Sequence, residues 1–257
     1  MNWQKQHIIY ERKAYRIVQK HIKNILSSIP VDNMELYNYE VLVTINVHQK
    51  DVYNMFVDIY KTIGLNYGNK VNNSLEKVTK ANVLFNETLL KEILLFLSSE
   101  GGVKITSVRD TLIKDIIDSI KKTLGDNGTV IDLRNAIYNI ISKSQTFYKY
   151  QALRIARTET TSASNLSAIK TAQSSDLVLD KVWLSVQDNR TRITPYDHLD
   201  MNNQKQELDK PFFVGGENID YPGATMASAG NVINCRCGLT FVPRRDADGM
   251  LILKTNM

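Results

Sequence analysis

Asn234-Cys235-Arg236-Cys237 is the sharpest chemical feature of this 257-residue chain, and it holds both of its cysteines. In an extended backbone, side chains alternate, so Cys235 and Cys237 share one face and Arg236 takes the other. A disulfide between residues two apart would be strained. The thiols could instead supply two ligands of a zinc site, with His198 as a third and an acidic side chain or water as the fourth. One intervening residue is fewer than the usual two to four, and a simpler reading, two small apolar thiols filling a core, ranks ahead of the metal. Asp188-Asn189-Arg190-Thr191-Arg192 is the next candidate. Asp-Asn signals a turn, and the arginines on it could clamp a carboxylate or phosphate, or pair with Glu159 or Asp188. His198 follows, flanked by Asp197 and Asp200; a histidine in such a polar loop is ordinarily solvated or simply hydrogen-bonded. Glu159, Asp188 and His198 together are the residue types of a metal-dependent hydrolase or nuclease, the alternative to a non-enzymatic role. Phosphate-cradling Gly-Lys-Ser/Thr, HExxH and GxSxG patterns are absent, and Gly215-Gly216 stands alone.

These residues must be carried by elements of two kinds. Pro30 is the single proline before residue 194, and Pro195, Pro211, Pro222 and Pro243 follow. Proline is excluded from helix interiors, so the first part can form long helices and the last part cannot. Helices are expected over 4–28, over 50–64 with Gly64 as the stop, and over 87–97 from a cap at Asn86, burying Leu89, Leu90, Ile93, Leu94 and Leu97. Gly101-Gly102 should break the chain. Ser107 with Asp110 reads as a capping box for a stripe running from Leu112 to Leu124. After the Gly125–Gly128 turn come a helix burying Leu133, Ile137, Ile140 and Ile141, and a longer one from near Phe147 to Gln173. Within the last, Ala156, Thr160, Ala163 and Ser167 form a small-residue face that lets another backbone approach. Arg157 and Glu159 on the same helix read as partners in structural ion pairs.

From Asp180 to Asp188, Val182, Leu184 and Val186 alternate with Trp183, Ser185 and Gln187, the period of a strand. Phe212–Val214 and Leu239–Val242 are further short strand candidates. Helices first and antiparallel strands afterwards make an α+β chain, with a helical N-terminal region followed by a small loop-rich domain whose strands pack on a helix.

Composition narrows the function classes. Apolar residues make up 43% and charged residues 23%, a globular balance. The longest apolar run falls short of a membrane span, and the polar N-terminus lacks the core of a secretory signal. The net charge is +5, and residues 1–150 hold all of it, with 20 Lys/Arg against 15 Asp/Glu. Without a run of like charges this reads as a solvated helical surface with weak attraction for nucleic acid. Tyr10, Tyr15, Tyr53 and Tyr60 read as core, not as a base-stacking platform.

In order along the chain, Arg154-Ile155-Ala156-Arg157-Thr158-Glu159-Thr160, Trp183 with Asp188–Arg192, His198 with Met201–Gln204, Pro211-Phe212, Tyr221-Pro222-Gly223 and Asn234–Cys237 resemble the bacteriophage Mu F-like head morphogenesis family of minor capsid proteins. The family-motif positions are Arg157, Thr158, Glu159, Trp183, Asp188, Arg192, His198, Asn234 and Arg236. Two departures stand out: His198 lies six residues after Arg192 where the family has about three, and Asn203 stands where the family has Gly. The resemblance implies a non-enzymatic component of the virion head, present in the host cytoplasm during assembly. It implies association with the portal protein, with other capsid components inside the procapsid and, for some members, with phage DNA. It divides the chain into a lineage-specific helical region (1–105), the head morphogenesis domain (106–245) and a tail (246–257).

Overall fold

The computed structural model describes residues 3–79, 86–143 and 148–254. The helical part opens with α1 (Trp3–Ser27), which ends short of Pro30 as expected. Trp3, His7, Tyr10, Ala14, Val18, Ile22 and Ile25 form its buried stripe. A 3-10 turn (Val31–Asn33) leads to α2 (Tyr39–Asn46) and α3 (Gln49–Ile59). Tyr10 and Tyr60 are buried, and Tyr15 and Tyr53 are partly so.

Gly64 does not stop the helix. A π turn (Tyr60–Gly64) carries it into α4 (Leu65–Thr79). A Cβ at Gly64 would lie 2.5 Å from Ser167 Oγ, and one at Gly68 would lie 2.4 Å from Leu89 Cδ2. The glycines therefore serve close packing, and tertiary contact overrides their poor helix propensity.

Next come α5 (Asn86–Ser98), α6 (Gly102–Leu124) and α7 (Val130–Ser142). Phe96 is buried in α5, whereas Leu90 and Leu94, expected inside, are half-buried. The α6 helix starts at Gly102, one turn earlier than the capping box expected at Ser107, because the apolar stripe already includes buried Ile105. A capping box does form at Thr129–Asp132, at the head of α7. The long helix α8 (Lys149–Gln173) follows; its expected start at Phe147 lies outside the described residues.

The remainder is short strands and loops: β1 (Leu179–Leu184), β2 (Lys205–Glu207), β3 (Phe212–Val214), β4 (Glu217–Ile219), α9 (Ala229–Val232) and β5 (Gly238–Pro243). An antiparallel sheet has the order β2-β1-β5, with Trp183 opposite Leu239. The β3–β4 hairpin turns at Gly215-Gly216, both at positive φ (56° and 82°), a requirement of a tight two-residue hairpin loop. The chain is therefore α+β, as the element order suggested. The strand expected over 180–188 ends at Leu184, and β1 is buried on both faces, so its alternation does not separate core from solvent.

Helices α1, α4 and α5, the π turn and β5 all pack on α8, and every residue from Thr158 to Ile169 is buried. The 105/106 boundary falls inside α6, and one hydrophobic cluster joins residues on both sides of it. The segment expected as a tail pairs back through Leu177–Leu253 and Arg245–Leu251 bridges.

Overpacking the Gly64 contact with Gly64→Val should cost about 1–3 kcal/mol in urea unfolding. Gly102→Ala, where an added Cβ meets nothing within 4 Å, should leave stability unchanged or raise it slightly. Equal stability of the two variants would contradict a tight contact between the π turn and α8.

Candidate functional site

Helix α8 carries the first motif residues, and its polar side chains hold two loops. Thr158 Oγ1 accepts from the Asn234 amide (3.0 Å), and the Thr161 hydroxyl donates to the Cys235 carbonyl. Ser162 Oγ donates to the Gly223 carbonyl at 2.8 Å. Asn165 Nδ2 donates both to Pro222 O (2.9 Å) and to Cys237 O (3.0 Å). Polar side chains of α8 outside the small-residue face, Thr158, Thr161, Ser162 and Asn165, thus satisfy backbone groups of buried loops that water cannot reach. Gly223 is required there, since its φ is +84° and an added Cβ would lie 2.9 Å from Ser162 Oγ.

Arg157 and Glu159 make the structural pairs expected of them. Arg157 grips Glu11 of α1 with two nitrogens, Nε at 3.1 Å and Nη2 at 2.8 Å, and its third nitrogen reaches Asn234 Oδ1 at 3.3 Å. Glu159 is buried; it accepts from Tyr60 at 3.0 Å and lies 3.9 Å from Lys104 Nζ. Lys104 also donates to Ser162 Oγ (2.8 Å) and Gly223 O (3.1 Å). Burial lowers the Lys104 pKa, against the pull of Glu159 and Cys235. Burial also drives the Tyr60 phenol well above its ordinary range, with Glu159 adding to the effect.

Asp188 forms the turn anticipated for it, accepting from the Arg190 amide at 3.0 Å. Its partner is Arg236, bound through two nitrogens at 2.6 and 2.7 Å. Those hydrogen bonds hold the Asp188 carboxyl far below the usual range, against its partial burial. Arg190 is exposed, 3.9 Å from Asp188. Arg192 turns away from both acids, donating to Ile233 O and lying over the Tyr196 ring at 5.9 Å.

His198 is not solvated; it is buried, with Trp183 edge-on at 5.5 Å. Its Nδ1 lies 3.6 Å from the sulfurs of both Cys235 and Cys237, and its Nε2 lies 3.0 Å from Asn231 Oδ1. Both cysteines are free and buried. The alternation read from Asn234–Cys237 holds, with the thiols on the His198 side and Arg236 on the Asp188 side. The thiols are coupled: a hydrogen bond from Cys237 lowers the pKa of Cys235, and that bond together with burial raises the pKa of Cys237. Among the described residues, His198, Cys235 and Cys237 are the one group of histidine, cysteine or carboxylate ligands close enough to share a metal ion. Glu159, Asp188 and His198 do not form such a group. Each faces a different partner.

The N-terminal region contributes more than the sequence indicated. Trp3 Nε1 donates to Arg236 O at 2.7 Å, and His7 Nε2 lies 3.1 Å from Thr161 Oγ1. Nothing in the spacing of Trp3, His7 and Glu11 marks them as partners of residues 233, 154 and 146 positions away, and Asn231 carries no local signal either. Asn203, where the resemblance expects Gly, sits at φ +66°, a left-handed conformation that Asn tolerates better than most residues. Comparisons with protein-family models, curated proteins and solved structures returned no match.

Burial lowers the His7 pKa to about 4 from an ordinary 6.5. Between those values the unfolded chain binds a proton that the folded chain refuses, so stability falls as pH drops through the window, by about 3 kcal/mol at most. Urea unfolding of the wild type from pH 7 to 4.5 should show this slope, and His7→Gln should flatten it. An identical slope in both proteins would contradict the assignment.

Proposed function

We propose that this chain is a minor head protein acting structurally in bacteriophage head morphogenesis, seated at the portal or against the inner surface of the procapsid. One observation carries the reading: the ordered landmarks of the family resemblance are partners of one another in space. The Arg157-Thr158 turn of α8 binds Asn234, Asp188 binds Arg236, and His198 faces Cys235 and Cys237. Six weak motifs strung over about ninety residues thereby make a single scaffold, the relation expected if they belong to one domain. Arg157, Asp188 and Arg236 are occupied by internal bonds, which suits a role in binding and assembly. Glu159, Asp188 and His198, facing different partners, offer no common point for a substrate or catalytic ion.

The basic excess of the first 150 residues is the feature that fits an additional contact with DNA. No helix among the described residues is long and apolar enough to cross a membrane.

Co-expression with the portal protein of the same genome tests the proposal. The chain should co-purify with portal assemblies through size exclusion and should be present in purified procapsids. A chain that stays unassociated with portal protein, and is missing from particles at every stage of assembly, would contradict it.

A further inference from the structure

We infer that His198, Cys235 and Cys237 form a zinc site, a role separate from the assembly function proposed above. The distances carry the inference. In a tetrahedral zinc centre with Zn–N near 2.05 Å and Zn–S near 2.3 Å, ligand nitrogen and sulfur lie about 3.6 Å apart. His198 Nδ1 lies 3.6 Å from each of the two sulfurs, and all three donor atoms fall within 4.8 Å of one another. Two thiol contacts to one imidazole nitrogen exceed what that nitrogen's single lone pair accepts well. A cation at the centre of the three atoms satisfies all of them.

The surroundings fit the same ion. Asn231 Oδ1, 3.0 Å from His198 Nε2, accepts that ring proton and so turns the bare Nδ1 toward the sulfurs. A ligating histidine tied through its second nitrogen to a fixed acceptor is the usual support of a bound metal. Trp183 Nε1 is buried beside the site without an oxygen or nitrogen partner. Two thiolates and an imidazole suit zinc, and they do not suit magnesium or calcium, which take oxygen ligands. The fourth ligand is a water; the nearby Ser185 hydroxyl is held by the His198 carbonyl. The site would clamp the loop bearing His198 to the segment that α8 already holds at Cys235 and Cys237.

The full-length, untagged chain should be purified from zinc-supplemented cells under reducing conditions and its metal content measured. We expect about one zinc per chain, surviving dialysis. Exchange into cobalt(II) should give a thiolate-to-metal charge-transfer band whose intensity reports two sulfurs, a readout that needs no variant. Asn231→Ala should weaken zinc binding about 10–100-fold in a chelator competition. The folded double variant Cys235→Ser/Cys237→Ser should abolish the cobalt band, and substitution of exposed His48 by Ala should change nothing. The site is refuted if zinc-loaded wild-type protein retains no metal, if its cobalt form lacks the thiolate band, or if the double variant binds zinc as the wild type does.

Discussion

Buried loops carry backbone groups that must find partners, and in this fold α8 supplies them. Asn165 is the clearest case. A single side-chain amide donates to Pro222 O and to Cys237 O, so two segments of the C-terminal part meet at one nitrogen of α8. Thr158, Thr161 and Ser162 extend the same service over one turn. A helix so rich in Thr, Ser and Asn has weak intrinsic propensity. It persists because α1, α4, α5 and β5 enclose it, and they can enclose it because its side chains are small. Helix and loops therefore stabilise each other, and neither arrangement is expected to stand without the other.

Ion pairs tie further elements to this frame. Arg157–Glu11 joins α8 to α1, and Asp188–Arg236 joins the turn after β1 to the cysteine segment. Asp180, buried on β1, is paired with Lys205 on β2 and with Arg244, just past the end of β5. Each pair binds elements distant in sequence, and the bidentate geometry of Arg157 and Arg236 fixes orientation as well as distance. The first hundred residues are in this sense part of the same scaffold: Trp3, His7 and Glu11 all contact the landmark segments.

The sequence made the long helices legible because their apolar stripes repeat over many turns. It made α8 legible through composition, since so many small polar residues in one helix imply burial. The face shared by Cys235 and Cys237 followed from strand alternation alone. What escaped was decided by distance. Gly64 looks like a stop locally, and only the approach of Ser167 shows it to be a packing residue. Ser107 and Asp110 have cap chemistry, yet buried Ile105 extends the helix past them. Strands β2 (Lys-Gln-Glu) and β4 (Glu-Asn-Ile) have no apolar pattern, and pairing with a neighbour defines them. Asp188 and Arg236 were each noticed, but nothing in a pair 48 residues apart announces that they meet. His198 sits among polar neighbours in sequence and under Trp183 in space.

Replacing Asn165 with leucine, close in size and without donors, tests the central claim most directly. Two buried carbonyls would lose their partner, at about 1–3 kcal/mol each. Urea unfolding should therefore show a loss of roughly 2–6 kcal/mol. A variant as stable as the wild type would mean that the loops are held by packing alone, and that α8 is not the donor on which they depend.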